Sequence, residues 1–428
     1  MGVPDNPGSA SARVGADPTV GIVINTLTPY WLHLFRRFVR EIDGVRFVTC
    51  SIFGGADQPW SLEQTREINH TQIETQECVS KRGVRDALTD WRKGGRVIRW
   101  LQEHRVRAVI VGGYSDACRA RVIRWCRAHG VRVFMIADSN IRSAGPALAE
   151  ALVKRVLLRA ILRRLDGVLV CGRNGADYFT SYGVPHAKIF VCPMEPDYSL
   201  IESITGPEVA AAMLKHRLAP GRRHLLTCSR LVGVKRVDLA IDAFAGIAAE
   251  RPDWDMVIIG SGPEEAALRA RVPHALQDRV RFTGFVGDQR EVSALYRACH
   301  VLVHAAEYEP FGLVIPEAAA AGLAIVTSSV VGASPEIVAE GVNGRFFPVG
   351  NTRLLTEALR DATDPDRTTT YQANSVGMSA DWRRRRDPVK GLVEALSSVG
   401  MAARWAHPPE NPGSVPRPRP AAAAGTAA

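Results

Sequence analysis

The sequence predicts an α/β protein built as two doubly wound parallel-sheet domains with a cleft between them. Short, fully apolar runs alternate with helical periodicity along most of the chain, which is the pattern of parallel strands covered on both faces. The alternation is interrupted by a polar, proline-containing stretch at residues 192–207 and then starts afresh. A length of 428 residues exceeds one ordinary core and fits two.

Residues 20–25 (VGIVIN) read as a buried strand, 26–30 as a loop and 31–41 as a helix, a β-loop-α opening. The unit recurs with strand 107–112 (RAVIVG), helix 117–129 and strand 131–137 (VRVFMIA). Helix 146–165, strand 167–171 (GVLVC), a helix through Tyr182 and strand 188–191 complete the first half. The second half opens at residue 224 (HLLTC). It continues with helix 238–250, strand 256–259, helix 264–271, strand 280–283, helix 289–298, strand 300–304, helix 313–321 and strand 324–327.

The expected division is therefore a disordered N-terminus (1–19), a first domain with its linker (20–205) and a second domain (206–380). A helix within 381–405 is expected to cross back to the first domain. Residues 406–428, dominated by Pro, Arg and Ala, are expected to be disordered.

Composition narrows the function classes. A hydrophobic share of 46% with 23% charged residues is that of a soluble globular protein, and no apolar run reaches the roughly 18–20 residues needed to span a bilayer. The N-terminus has no basic stretch leading into an apolar one, so a cytoplasmic location is expected. Eight cysteines are scattered without a CxxC pair or a Cys/His cluster, and neither a metal nor a disulfide is expected.

Residues 1–205 hold 28 Lys+Arg against 20 Asp+Glu, a surplus of 8, while the remainder holds 26 against 24. That asymmetry suits a phosphate-bearing partner such as a lipid-linked acceptor or an anionic membrane, and nucleic acid is not expected. Helix 146–165 carries Lys154, Arg155, Arg159, Arg163 and Arg164 among leucines and valines, spread over more than one face. Peripheral contact at the inner membrane face is the corresponding expectation.

Ligands of open parallel sheets bind beyond the carboxyl ends of the strands, so the loops there carry the search. After strand HLLTC comes SRLVGVKR, which sets Arg230 and Lys235 at the entry to a helix. A guanidinium fork, an ammonium and helix N–H donors together suit a diphosphate. The loop Gly260-Ser261-Gly262-Pro263 offers close backbone approach to a ligand, although it lacks the third glycine of the dinucleotide fingerprint. Residues 307–317 (EYEPFGLVIPE) put Glu309 in a loop and Glu317 on the first turns of an apolar helix, with Pro316 tolerable only near a helix start. Carboxylates are strong acceptors for sugar hydroxyls.

SRLVGVKR, the 260–263 loop, FTGFV (282–286), Glu309 and Glu317 with seven residues between them, GASPE (332–336) and GVNG (341–344) together resemble retaining glycosyltransferase family 4. That family has the GT-B architecture of two Rossmann-like domains facing each other across a cleft. The resemblance spans residues 224–348 and is weaker in the first half.

It implies that Arg230 and Lys235 neutralise the donor diphosphate, that Glu317 takes the ribose hydroxyls and that Glu309 lies near the transferred sugar. Ser261, Gly262, Phe311, Gly312 and Leu313 are implied to meet sugar and phosphate, and Phe285 with Val286 to lie beside the base. The implied reaction moves a hexose-type sugar from a nucleotide diphosphate donor to a glycan, lipid-linked or other hydroxyl acceptor. Anomeric configuration is retained, with no metal and no cofactor, in polysaccharide or glycolipid synthesis.

The first half departs from the family pattern. Many relatives carry a histidine after a mid-domain strand, where this chain reads Gly113-Tyr114-Ser115-Asp116. Tyr30, Tyr114 and Asp138 are the acceptor-side candidates, and Asp138-Ser139-Asn140 equally reads as a helix cap. A nucleotide-sugar epimerase of the same fold and a catalytically silent sugar-nucleotide-binding subunit are the alternatives.

Overall fold

The computed structural model describes residues 17–52, 66–73, 84–114, 116–142 and 148–406. Of the termini expected to be disordered (1–19 and 406–428), residues 1–16 and 407–428 lie outside the described residues, as does Ser115, whereas Thr19 already starts a buried strand and Ala406 N donates to Glu41 O at 2.9 Å. In chain order the strands are β1 (Thr19–Ile24), β2 (Ile42–Asp43), β3 (Arg46–Ser51), β4 (His70–Gln72), β5 (Val106–Gly112), β6 (Arg132–Ala137), β7 (Gly167–Val170) and β8 (Ile189–Val191). They continue as β9 (Arg223–Cys228), β10 (Trp254–Ile259), β11 (Val280–Gly284), β12 (Val301–His304), β13 (Ala324–Ser328), β14 (Gly344–Phe347) and β15 (Arg404–Trp405).

Two parallel sheets result, in the orders β4-β3-β1-β5-β6-β7-β8 and β11-β10-β9-β12-β13-β14. The α/β class of two Rossmann-like sheets is as the sequence predicts. In each sheet the order reverses beside its first strand, between β1 and β5 and between β9 and β12, and the crevice for a ligand opens there. The strands beside these points are buried along their central residues, with Val20, Ile110, Leu226 and Val303 each at most 1% exposed. Burying each such side chain contributes roughly 1.5–3 kcal/mol, which fixes the strand ends that carry the loops.

Several elements differ from expectation. The stretch at 192–207 is not featureless, because Asp197 accepts from Leu200 N at 3.0 Å and starts the helix Tyr198–Ser203. The next helix, Gly206–Lys215, already begins inside it with the reciprocal Thr205–Glu208 capping box. β3, β4 and the helix Val84–Glu103 stand where the periodicity gives no clear signal. The long helix Pro365–Arg385 packs on the second domain through Trp382. The return to the first domain therefore begins only at the Asp387 cap of helix Pro388–Ser397.

Val389, Leu392, Ala395 and Leu396 of that returning helix lie in the same core as Val20, Leu34 and Phe38. Gly391 lets it close on β8, since a Cβ there would stand 1.9 Å from the Val191 carbonyl oxygen. β15 then pairs antiparallel with β2. The chain thus passes between the domains twice, and one side chain joins the two passages. Arg37, on helix Pro29–Glu41, donates to Glu195 Oε1 at 2.7 Å, to Asp387 Oδ2 at 2.9 Å and to Glu41 Oε2 at 2.8 Å. His33, one turn earlier, lies 3.4 Å from Glu195 and 3.5 Å from Asp197. Burial opposes its charge, but those two carboxylates prevail and lift the imidazole to about 9.

Candidate active site between the two sheets

The crevice between β9 and β12 gathers the charged residues. Arg230 follows β9 directly, is exposed and has no carboxylate partner among the described residues. Lys235 ends the short turn Gly233–Lys235, and the left-handed Arg236 after it (φ 48°) starts the helix Val237–Ile247. That turn is tied to the β12 loop by a 3.0 Å bond from Glu307 N to the Val234 carbonyl.

Lys235 Nζ consequently reaches Glu309 Oε2 at 2.5 Å, and His304 Nε2, at the end of β12, meets the same oxygen at 2.9 Å. Burial alone would raise the Glu309 carboxyl, but the imidazole and the ammonium overcome it and hold the group at about 2. The Ser229 hydroxyl, at the β9 end of this crevice, is buried with no hydrogen-bond partner.

The glycines of this region serve loop packing. Gly260 has φ 128°, and a Cβ there would come within 1.9 Å of the Ser229 carbonyl oxygen; at Gly262 it would come within 2.3 Å of Leu231 O. Packing against the neighbouring loop by itself requires glycine at both positions. Ser261 takes part through its carbonyl, which accepts from Leu231 N at 2.9 Å.

The second clasp surrounds Glu309. Gly332 N donates to Glu309 O at 3.2 Å and Ala333 N to Phe311 O at 2.7 Å, and a Cβ on Gly332 would stand 1.9 Å from Pro310 O. Phe311 is buried, Gly312 turns the chain at φ 90°, and Leu313 caps the helix Val314–Ala321, one residue later than expected. The first N–H groups of that helix have no partner within it.

Glu317 sits deeper, 6% exposed, with both oxygens engaged. Tyr296, on helix Gln289–Ala298, donates to Oε2 at 2.9 Å, and Tyr30, from the other domain, donates to Oε1 at 2.8 Å. Burial pushes the Glu317 carboxyl up to about 7 despite both hydrogen bonds. Tyr30, expected on the acceptor side, thus stands on the carboxylate expected to serve the donor. Phe285 is partly exposed and Val286 buried at the end of β11.

Across the cleft, Asn140 Nδ2 donates to Val330 O at 2.7 Å and to Glu309 O at 3.2 Å. Tyr114 follows β5, and its hydroxyl lies 3.0 Å from that of Tyr178. Asp138 follows β6; the cleft walls and the field of Glu309 raise its carboxyl. Tyr308, partly exposed in the β12 loop, is raised by burial and by Asp138, Tyr114 and Glu309. Arg119 fixes this corner by donating to the Gly112 carbonyl and to Asp116 and Asn25.

Four residues of the site escape sequence reasoning: His304, Tyr296, Tyr178 and Tyr308. His304 is the one with a usable signal, as a polar residue closing an otherwise apolar strand. Among the described residues no helix is long and apolar enough to cross a membrane, and no group of three His, Cys, Asp or Glu is placed to hold a metal ion. The helix Leu148–Leu162 exposes Arg155, Val156 and Leu157 together, while the side chain of Lys154 lies outside the described residues.

Two family models divide the chain between them. The one described as "Glycosyl transferase 4-like domain" matches residues 25–195 and the one described as "Glycosyl transferases group 1" matches 211–373. The chain is 34% identical over 231 residues to the lipopolysaccharide core biosynthesis mannosyltransferase LpsB of Rhizobium meliloti, covering 51% of this chain and 61% of that one. It is 32% identical over 208 residues to the glycogen synthase of Mycobacterium tuberculosis, covering 48% and 47%. The aligned stretches span less than two thirds of the curated relatives they match, and only 14% of an exopolysaccharide phosphotransferase of Streptomyces coelicolor. Among solved structures, Anabaena Alr3699/HepE in complex with UDP and glucose superposes with a TM-score of 0.68 at 18% identity, over 89% of this chain and 100% of that one.

Proposed function

The chain belongs to the glycosyltransferases of GT-B fold, and from that premise we propose that it transfers a hexose-type sugar from a nucleotide diphosphate donor to a hydroxyl of a glycan or lipid-linked acceptor, with retention at the anomeric carbon. The observation that carries the reading is the meeting of Lys235, His304 and Glu309 at the crevice between β9 and β12.

In this reading Arg230, Lys235 and the start of helix Val314–Ala321 stabilise the negative charge that develops on the leaving diphosphate. Glu309 stays ionised and can accept from the hydroxyls of the transferred sugar, and His304 holds it in place from behind. Glu317 takes the ribose, with Phe285 and Val286 beside the base. The carbon–oxygen bond to the diphosphate breaks as the acceptor oxygen bonds to the same face of the anomeric carbon. A leaving diphosphate oxygen takes the acceptor proton, so no protein base and no metal ion is invoked.

Tyr114, Tyr178, Asp138 and Tyr308 are proposed to receive the acceptor, opposite Glu309. The exposed Arg155, Val156 and Leu157 are proposed to touch an anionic membrane surface from which a lipid-linked acceptor is taken. A thermal-shift screen of UDP, GDP, ADP and dTDP sugars, followed by product analysis with and without acceptors, tests the reading. Stabilisation by at least one donor and acceptor-dependent release of nucleoside diphosphate are expected. A change in the donor sugar with no acceptor present would make the protein an epimerase instead.

A further inference from the structure

A cavity of about 780 Å³ lies between the helix Pro29–Glu41 of the first domain, the crossing segment at 196–201 and the loop and helix start at 287–293 of the second. Glu317 and Tyr30 both face it, and its outer wall carries His33, Arg36, Asp288 and Gln289. Its position beside Val286 and its polar lining suit a nucleoside.

Glu317, the most buried of the carboxylates lining it, is already engaged. Of the two phenols on Glu317, Tyr296 is 1% exposed in the core of its own domain and has no room to leave. Tyr30 is different. It is partly exposed and sits on the first turn of a helix in the opposite domain, directly after the Thr28 cap and Pro29. Its bond to Glu317 spans 287 residues of chain and lasts only while the domains hold this relative position.

We infer that Tyr30 is a gate on the ribose site: its hydroxyl and a ribose hydroxyl compete for the same carboxylate oxygen of Glu317, so nucleotide entry and separation of Tyr30 from Glu317 are one event. The inference rests on the reading of Glu317 as the ribose acceptor. With Tyr296 fixed on Oε2, Oε1 is the oxygen that can be freed, and a ribose hydroxyl is a donor that can take it. The elevated Glu317 carboxyl fits a site sealed from water by that phenol. By linkage, whatever holds the ligand-free arrangement together weakens the ligand by the same factor.

Titration calorimetry of the full chain with UDP, GDP, ADP and dTDP, on the wild type and on Tyr30→Phe, tests this. The Phe ring preserves the packing and removes only the competing hydroxyl. Tyr30→Phe is expected to bind the preferred nucleotide about tenfold more tightly, the scale of one hydrogen bond to a charged group. A merely structural role would weaken binding, so the sign is decisive. Weaker or equal binding by Tyr30→Phe overturns the gate while leaving the nucleotide reading intact. Absence of binding by the wild type to all four nucleotides overturns that reading and the gate with it. Small-angle scattering supplies a second measurement that needs no variant: saturating nucleotide should change the radius of gyration of the wild type, and an unchanged radius counts against the gate.

Discussion

Lys235 and Glu309 are joined by a 2.5 Å ion pair that links the loop after β9 to the loop after β12. Two strands adjacent in the sheet thus carry opposite charges to one point, with His304 beneath them on the same carboxylate oxygen.

Lys235→Ala should lower kcat/KM for sugar transfer by about a hundredfold or more, the usual scale for removing a donor to a developing negative charge. The fold should persist, because Lys235 is on a surface turn outside the apolar core clusters. Unchanged turnover in a variant with a wild-type melting curve would remove Lys235 from the phosphate site.

Glu317 gives nucleotide binding a pH dependence near neutrality. Its carboxyl, raised to about 7, is ionised above that pH and protonated below it, and only the ionised form offers Oε1 as a full-strength acceptor to a ribose hydroxyl. Affinity should therefore fall by up to about tenfold per unit as pH drops below 7. Calorimetry between about pH 5.5 and about pH 8 should show this fall for the wild type and a flat profile for Glu317→Gln. The same upward shift means that folding stability is lost as pH rises from about 4.5 through about 7 at this residue.

His33 acts in a different window. Its folded-state imidazole titrates at about 9 against 6.5 unperturbed, so its contribution is complete below about 6.5 and disappears as pH rises through 9. Denaturant melts should show a loss of roughly 1–3 kcal/mol across that range, part of it screened by solvent. In His33→Gln that portion of the pH dependence should vanish; if the slope is the same in both proteins, the Glu195–Asp197 contacts are not its source.

Gly332→Ala should act on the site through the backbone. The added methyl would meet Pro310 O at 1.9 Å, so the clasp around Glu309 must open. A stability loss of about 1–3 kcal/mol is expected, with donor affinity falling alongside it. Calorimetry showing normal donor binding would mean that the clasp does not set the Glu309 position.

Arg155 and Leu157 bear on the membrane proposal. Flotation with vesicles containing anionic lipid should recover the wild type at low salt and much less of an Arg155→Glu, Leu157→Ser double variant. Equal recovery of both proteins would move the contact elsewhere.

What was legible in the sequence follows from what each residue packs against. Leu225, Val257, Val303 and Val326 are buried on both faces of a parallel sheet, and their apolar runs are visible without any partner. Glu309 and Glu317 stood out because their spacing recurs in a family. Helix Val84–Glu103 has Gly94 and Gly95 at its centre, residues that weaken a helical signal. In the structure they admit a neighbouring helix, since a Cβ at Gly94 would already stand 3.0 Å from Cys118 O. Tyr296 looks like any aromatic on an amphipathic face, and its hydroxyl finds Glu317 only after the fold has formed. The bond from Tyr30 to Glu317 is invisible in the sequence for the same reason, because no local pattern reports a partner in the opposite domain.

The double passage of the chain between the domains sets what kind of motion is available. A single tether would leave one lobe free to twist and slide on the other, whereas two attachments define an axle. Arg37 grips Glu195 on the first attachment and Asp387 on the second, so the axle runs beside one guanidinium. A swing about that line would part Tyr30 from Glu317 and Asn140 from the Glu309 loop in the same stroke.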